Sequence, residues 1–195
     1  YGSKVCGWID VPNFEGSERR IGPSTARQCE AKRIADEVAR LTHIAPTKSI
    51  GVISFYSAQV TEIKKALAEH GICDSNSELE INKSYTAFTD PDGKVHERIR
   101  IGTVDAFQGK EFDIVLLSMT RSNQYEVELN SESALNRKFG HLRLANRMNV
   151  AMSRQRSLLI VVGDRAMVIS AAAQKAVPAL NSFENLCNGE HGFVI

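Results

Sequence analysis

Three continuous apolar runs constrain this chain more than any other feature: Ser49-Ile-Gly-Val-Ile-Ser-Phe55, Phe112-Asp-Ile-Val-Leu-Leu-Ser-Met119 and Ser157-Leu-Leu-Ile-Val-Val162. A strand with one wet face alternates apolar and polar side chains, whereas a strand covered on both faces has no need to. Such runs call for a mainly parallel sheet. Helical patterns fall between them. Thr25-x-x-Gln28 reads as a capping box for a helix carrying Ile34, Val38 and Leu41 at helical spacing. A second helix, from about Ala58 to Glu69, places Val60, Ile63 and Leu67 on one face and ends at Gly71. Val5 to Val11 and Ile99 to Val104 are strand-like, and further helices are expected from about Leu142 to Ser153 and Ala166 to Ala176. Strand and helix in alternation predict an α/β domain, a mainly parallel sheet flanked by helices on both faces, formed as one unit over residues 1–195. Residues 72–98 are the exception, an irregular insertion or hairpin. There Asp90-Pro-Asp-Gly93 signals a turn between edge strands Tyr85 to Thr89 and Lys94 to Arg98.

Composition narrows the function classes. With 43% hydrophobic and 24% charged residues, the 195-residue chain is globular in character. No apolar run approaches the roughly 18 residues of a membrane span, and no signal pattern opens the sequence, so an intracellular protein without a membrane partner is expected. The start at Tyr1 without a methionine is that of a piece of something longer. The cysteines Cys6, Cys29, Cys73 and Cys187 stand singly, and the five histidines share no ligand spacing, so buried thiols and no metal site are expected. Trp8, inside an apolar strand, is expected in the core.

Charge is informative only locally. The net charge of +1 carries no argument for nucleic acid, yet residues 137–163 hold six Lys or Arg and no acid. On one continuous helix, Arg143, Arg147 and Arg154 lie within about 40° of one another, opposite a stripe of Leu142, Ala145, Met148 and Met152. Such a row suits phosphate groups, since guanidinium offers a planar fork of permanently charged donors; pairing with acids from elsewhere is the even alternative.

The polar residues gather at strand ends. Ser54-Phe-Tyr56, Asp105 to Glu111, Thr120-Arg121-Ser122 and Gly163-Asp164 each follow an apolar run, which predicts one site along the carboxyl edge of the sheet. Gly109-Lys110 invites a phosphate-loop reading, but that motif needs Gly, four residues, then Gly-Lys-Ser/Thr. Here Gly102 precedes Gly109 by seven positions and Glu111 stands where the hydroxyl should be.

With those residues assembled, the chain resembles the second RecA-like motor domain of a superfamily 1 helicase, in the up-frameshift/senataxin-like group that moves 5′ to 3′ on single strands. Gly51-Val-Ile-Ser-Phe-Tyr-Ser-Ala-Gln59 resembles motif IV, Thr103-Val-Asp-Ala-Phe-Gln-Gly-Lys-Glu-Phe-Asp113 motif V, and Arg147-Met-Asn-Val-Ala-Met-Ser-Arg-Gln-Arg156 motif VI. Coverage is about residues 1–165. Gln155 and Ser153 stand where alanine and threonine are commoner.

The resemblance implies roles. Arg154 matches an arginine finger for the γ-phosphate of ATP. Gly109 matches the glycine beside that phosphate, Glu111 the acid that meets the ribose hydroxyls, and Gln108 a link from nucleotide state to strand binding. Ser54 and Thr103 match hydroxyls on the nucleic-acid backbone, and Arg143 and Arg147 fit the same strand. Asp105 either orients its loop or makes a direct contact; Arg121 and Asn123 either relay between sites or bond locally. ATP with Mg2+ is the implied cofactor, single-stranded RNA or DNA the partner. The phosphate loop and metal acids would come from an N-terminal RecA-like domain of the same polypeptide, leaving this chain inactive alone. The alternative is a helicase-like module that binds nucleic acid or protein without turning over ATP.

Overall fold

The computed structural model describes residues 1–128 and 130–195. Strands β1 (Cys6–Asp10), β4 (Ile50–Ser54), β7 (Ile99–Thr103), β8 (Phe112–Ser118), β9 (Gln155–Gly163) and β10 (Gly192–Val194) form one sheet in the order β10-β1-β9-β8-β4-β7. Every pairing in it is parallel. Two small antiparallel ribbons stand outside: β2 (Arg19–Ile21) with β3 (Ser24–Ala26), and β5 (Ala87–Thr89) with β6 (Val95–Glu97).

The two-sided burial expected of the apolar runs is realised residue by residue. Val52, Leu116 and Ile160 face a layer made by α1 (Gln28–Ile44) and α2 (Ser57–Glu69), meeting Ile34, Val38, Leu41, Ile63 and Leu67. Their neighbours Ile53, Leu117 and Val161 face the other layer. That layer comprises α3 (Glu132–Phe139), α4 (Ala145–Ala151), α5 (Ala171–Ala176) and α6 (Pro178–Cys187). Each such side chain contributes about 1.5–3 kcal/mol by leaving water, which is why neither face tolerates the polar alternation of an exposed strand. Trp8 lies fully buried in β1 and donates its indole N–H to the Gly163 carbonyl at 3.1 Å, satisfying its one polar atom.

The connection from β7 to β8 decides where the site lies. Because β4 separates these strands, residues 104–111 must travel from the carboxyl end of β7 to the amino end of β8. They do so across the sheet face with only a 3-10 turn, Val104–Phe107. The buried ring of Phe107 sits over Gly51, where a Cβ would come within 2.9 Å of it. Glycine at the second position of β4 is thus the notch through which this strap passes.

Several expectations need correction. Thr25 does not cap α1: it pairs with Arg20 in the β2–β3 ribbon, the helix is entered at Arg27, and Arg27 N–H bonds Gln59 Oε1 at 2.7 Å. The expected continuous helix from Leu142 to Ser153 is interrupted. A 3-10 turn, Gly140–Arg143, precedes Leu144 at φ −76°, ψ 88°, and α4 is only Ala145–Ala151. Ala145 faces solvent, with Ala151 taking its place beside Leu142 and Met148. Between Ser122 and Gly140, where the sequence pattern marks no helix, α3 is started by Ser131, whose hydroxyl caps Ala134 N–H. The helix expected from Ala166 begins instead as a 3-10 turn at Arg165–Met167, and α5 starts afresh at Ala171.

Candidate functional site

Strand register divides the expected site residues between opposite edges of the sheet. Ser54 stands level with Thr103 and with Ser118, and Ser118 with Val162, which marks the carboxyl edge. Phe112 stands level with Gln155 at the amino edge, where its N–H donates to the Arg154 carbonyl at 2.9 Å. Gly109, Lys110, Glu111, Arg154 and Arg156 therefore belong to the amino edge. The single carboxyl-edge site expected from strand ends is corrected to two, because the strap from Thr103 delivers its far end to the other side.

The carboxyl edge is internally bonded. Glu30, fully buried on α1, accepts from Ser118 Oγ at 2.5 Å and Thr120 N at 2.8 Å, with Arg27 at 3.4 Å from its other oxygen. Burial is the largest influence and pushes its carboxyl up to about 7, against the lowering effects of Arg27, Ser118 and Thr120. Gln59 donates to Ser118 Oγ at 3.1 Å. Glu18 Oε2 gathers Arg121 Nε (2.9 Å), Ser122 N (2.7 Å) and Asn123 Nδ2 (3.0 Å), so Arg121 and Asn123 share one acid from a distant part of the chain. Tyr56, buried, receives the His141 N–H at 3.0 Å on its hydroxyl.

Within this network Ser54 departs from expectation. Its side chain is fully buried, shares a 3.2 Å bond with Thr120 Oγ1 and accepts from Tyr56 N at 3.2 Å, so it braces the edge instead of meeting a strand directly. Thr103, half-buried at the end of β7, makes no side-chain hydrogen bond among the described residues and remains available.

The arginine row also dissolves. Arg143 sits on the 3-10 turn, where it bonds Asn136 and pairs with Glu132 at 2.6 Å. That pairing holds the Glu132 carboxyl below its ordinary range. Arg147 pairs with Asp105, and Arg156 lies 3.4 Å from Glu111. Arg137 stacks on Tyr125 at 4.1 Å, and Lys138 donates to the Tyr125 carbonyl at 2.8 Å. Among the arginines of this basic segment, Arg154 alone has no acid or ring partner among the described residues. Its Nε donates to the Val150 carbonyl at 3.0 Å and its Nη2 to Ser153 Oγ at 2.8 Å.

At the amino edge the side chains face water. Gln108, Gly109, Lys110 and Glu111 are all exposed. Gly109 holds φ +70°, the left-handed region, yet a Cβ there would meet nothing within 4 Å, so backbone conformation is what calls for glycine inside this chain. Asp113, two residues after Glu111, fixes the loop's exit: it accepts Ser49 N and Oγ, both at 2.9 Å. A cavity of about 240 Å³ lies between Gly109, Lys110, Glu111 and Arg156 on one side and Val95, His96 and Glu97 on the other. Cations beside an acid and open backbone suit an anionic, hydroxyl-bearing ligand such as a nucleotide. Among the described residues no group of three or more His, Cys, Asp or Glu is placed to hold a metal ion.

The half-buried Glu18 and the fully buried Glu30 carry no functional signal in the sequence. Their partners lie some ninety or more residues away in the chain, and only the Arg27-x-x-Glu30 spacing hinted at pairing.

A parallel six-stranded sheet with helices on both faces, carrying an arginine and a glycine-acid loop but no phosphate-loop sequence, is the architecture of a RecA-like α/β domain. The AAA domain family matches residues 2–166, and the chain belongs to it, as the second RecA-like domain of the superfamily 1 helicase type. Its sequence is 39% identical over 163 residues to DNA polymerase alpha-associated DNA helicase A of Saccharomyces cerevisiae, covering 80% of this chain and 19% of that protein. It is 27% identical over 210 residues to putative helicase mov-10-B.1 of Danio rerio, covering 97% and 18%. The chain thus spans under a fifth of either relative. A solved structure, the C-terminal domain of a possible DNA helicase from Lactobacillus plantarum, aligns at 13% identity and a TM-score of 0.49, over 98% of this chain and 85% of that one. No helix among the described residues is long and apolar enough to cross a membrane.

Proposed function

We propose that this chain is the C-terminal motor domain of an ATP-dependent 5′–3′ RNA or DNA helicase, acting inside the cell together with an N-terminal RecA-like domain of the same polypeptide. The observation that carries the reading is Arg154: a guanidinium at the open edge, steered by Val150 and Ser153 and spent on no acid, beside the loop of Gly109 and Glu111. MgATP, held chiefly by the partner domain, would supply the phosphoryl group for transfer to water.

Arg154 donates to the γ-phosphate oxygens and offsets charge as the phosphoryl group leaves. Glu111 accepts hydrogen bonds from the ribose hydroxyls, and its exposed pairing with Arg156 is weak enough to open for them. Gly109 lets backbone approach the phosphates, and Gln108 rides on the same loop. At the opposite edge Thr103 contacts the sugar-phosphate backbone, a contact blind to sequence, while Ser54 positions the loop beside it. Arg143 and Arg147 join the strand only by exchanging their present carboxylate partners for phosphates.

In the full-length protein, Arg154→Ala should lower strand-stimulated ATPase kcat by about 10³-fold or more with thermal stability unchanged. Wild-type turnover in that variant removes the finger assignment and favours a module that binds without hydrolysis.

A further inference from the structure

The cavity beside Glu111 has an outer wall to which none of the helicase motifs contributes. That wall is the β5–β6 ribbon, which belongs to the irregular stretch before motif V. It is anchored firmly. Arg98, between β6 and β7, donates its N–H to the Thr86 carbonyl at 2.9 Å and accepts the Ile50 N–H at 2.7 Å. The ribbon's turn is tied by Asp90, which accepts Asp92 N at 3.0 Å and Lys94 N at 2.9 Å.

Two of its residues are placed as ligand contacts. Val95 lines the cavity and is 67% exposed, an apolar side chain standing in water. His96 is set in orientation by Asp90 at 2.7 Å and by the Phe88 ring, stacked at 5.3 Å and 21°. The cavity of about 240 Å³ is smaller than the roughly 300–1,000 Å³ of a complete small-molecule pocket. It therefore fits part of a ligand, of the size of a nucleoside.

We propose that the β5–β6 ribbon is the base-side wall of the nucleotide site, with Val95 and His96 against the nucleobase of a purine nucleoside triphosphate. This rests on the roles given above to Arg154 and Glu111. The site then reads in one direction: Arg154 at the phosphates, Glu111 and Arg156 at the sugar, the ribbon beyond them. Val95 offers apolar contact and His96 a fixed ring, and neither group distinguishes adenine from guanine. The larger purine gains more contact area than a pyrimidine.

The test is ATPase kinetics of the full-length protein carrying Val95→Gly with His96→Ala, using ATP and the baseless probe ribose 5-triphosphate. Both positions lie on a surface ribbon outside the core, so the fold survives the change. KM for ATP should rise about three- to tenfold with kcat unchanged, while KM for ribose 5-triphosphate stays the same in variant and wild type. An unchanged KM for ATP, alongside a raised KM in Glu111→Gln, overturns the ribbon's role and leaves the nucleotide reading standing. Wild-type kinetics in Arg154→Ala and Glu111→Gln together overturn both.

Discussion

The two edges of the sheet are built on opposite terms. At the carboxyl edge Glu30, Ser54, Ser118 and Thr120 are fully buried and spend their hydrogen bonds on one another. At the amino edge Gln108, Lys110 and Glu111 stand in water, and Arg154 is steered only by its own turn. Burial turns polar groups into structure, since a buried donor left unpaired costs about 1–3 kcal/mol. Exposure keeps them free for a ligand. The two sets look alike in sequence, and what separates them is which end of a strand they occupy.

Substitutions can break this contrast, beginning with the largest effect. Arg154→Ala should cost at least about three orders of magnitude in kcat and nothing measurable in melting temperature. Glu30→Ala should do the reverse, destabilising the domain by about 3–5 kcal/mol because it leaves Arg27 buried without its partner. A loss of less than about 1 kcal/mol in denaturant unfolding would show that the network is dispensable.

Glu30 also carries a pH signature. Its folded value of about 7 lies above the ordinary 4.5, so the folded state holds the proton more tightly. The resulting stability is fully present below pH 4.5 and is lost as pH rises through about 7. The steepest slope approaches about 1.4 kcal/mol per pH unit. Glu30→Gln should flatten that slope, and an unaltered profile would assign the proton elsewhere.

A smaller contrast lies within the carboxyl edge. Ser54→Ala should destabilise by about 1–2 kcal/mol through the bonds it strands. Thr103→Val should leave stability alone and weaken single-strand binding severalfold, measured by fluorescence anisotropy at fixed salt. Swapped outcomes would make Ser54 the strand contact after all. The smallest effect is expected for Arg156→Ala, within about 0.5 kcal/mol in stability, because its pair with Glu111 is half exposed.

Much of this was legible in the chain. The apolar runs 49–55, 112–119 and 157–162 name three central strands, since continuous hydrophobicity over that length has few other uses in an α/β domain. The amino-edge residues were identifiable by motif, though not their side of the sheet. Strand-end reasoning assumes a connection that begins and ends near one edge, and a short strap crossing a face defeats it. Gly51 within β4 was the one available sign of that crossing. β10 was illegible: three residues, Gly192–Val194, acquire strand character only by pairing with β1. The break ahead of α4 was hidden too, because Gly140 to Ala151 keeps helical periodicity while Leu144 adopts a non-helical turn.

The passage of Phe107 over Gly51 also fixes a route between the edges. Thr103 and Glu111 are eight residues apart, and the chain between them lies seated on the sheet at its midpoint. The shortest covalent path between the two rims of the domain therefore runs by way of a buried aromatic ring, and not through open loop.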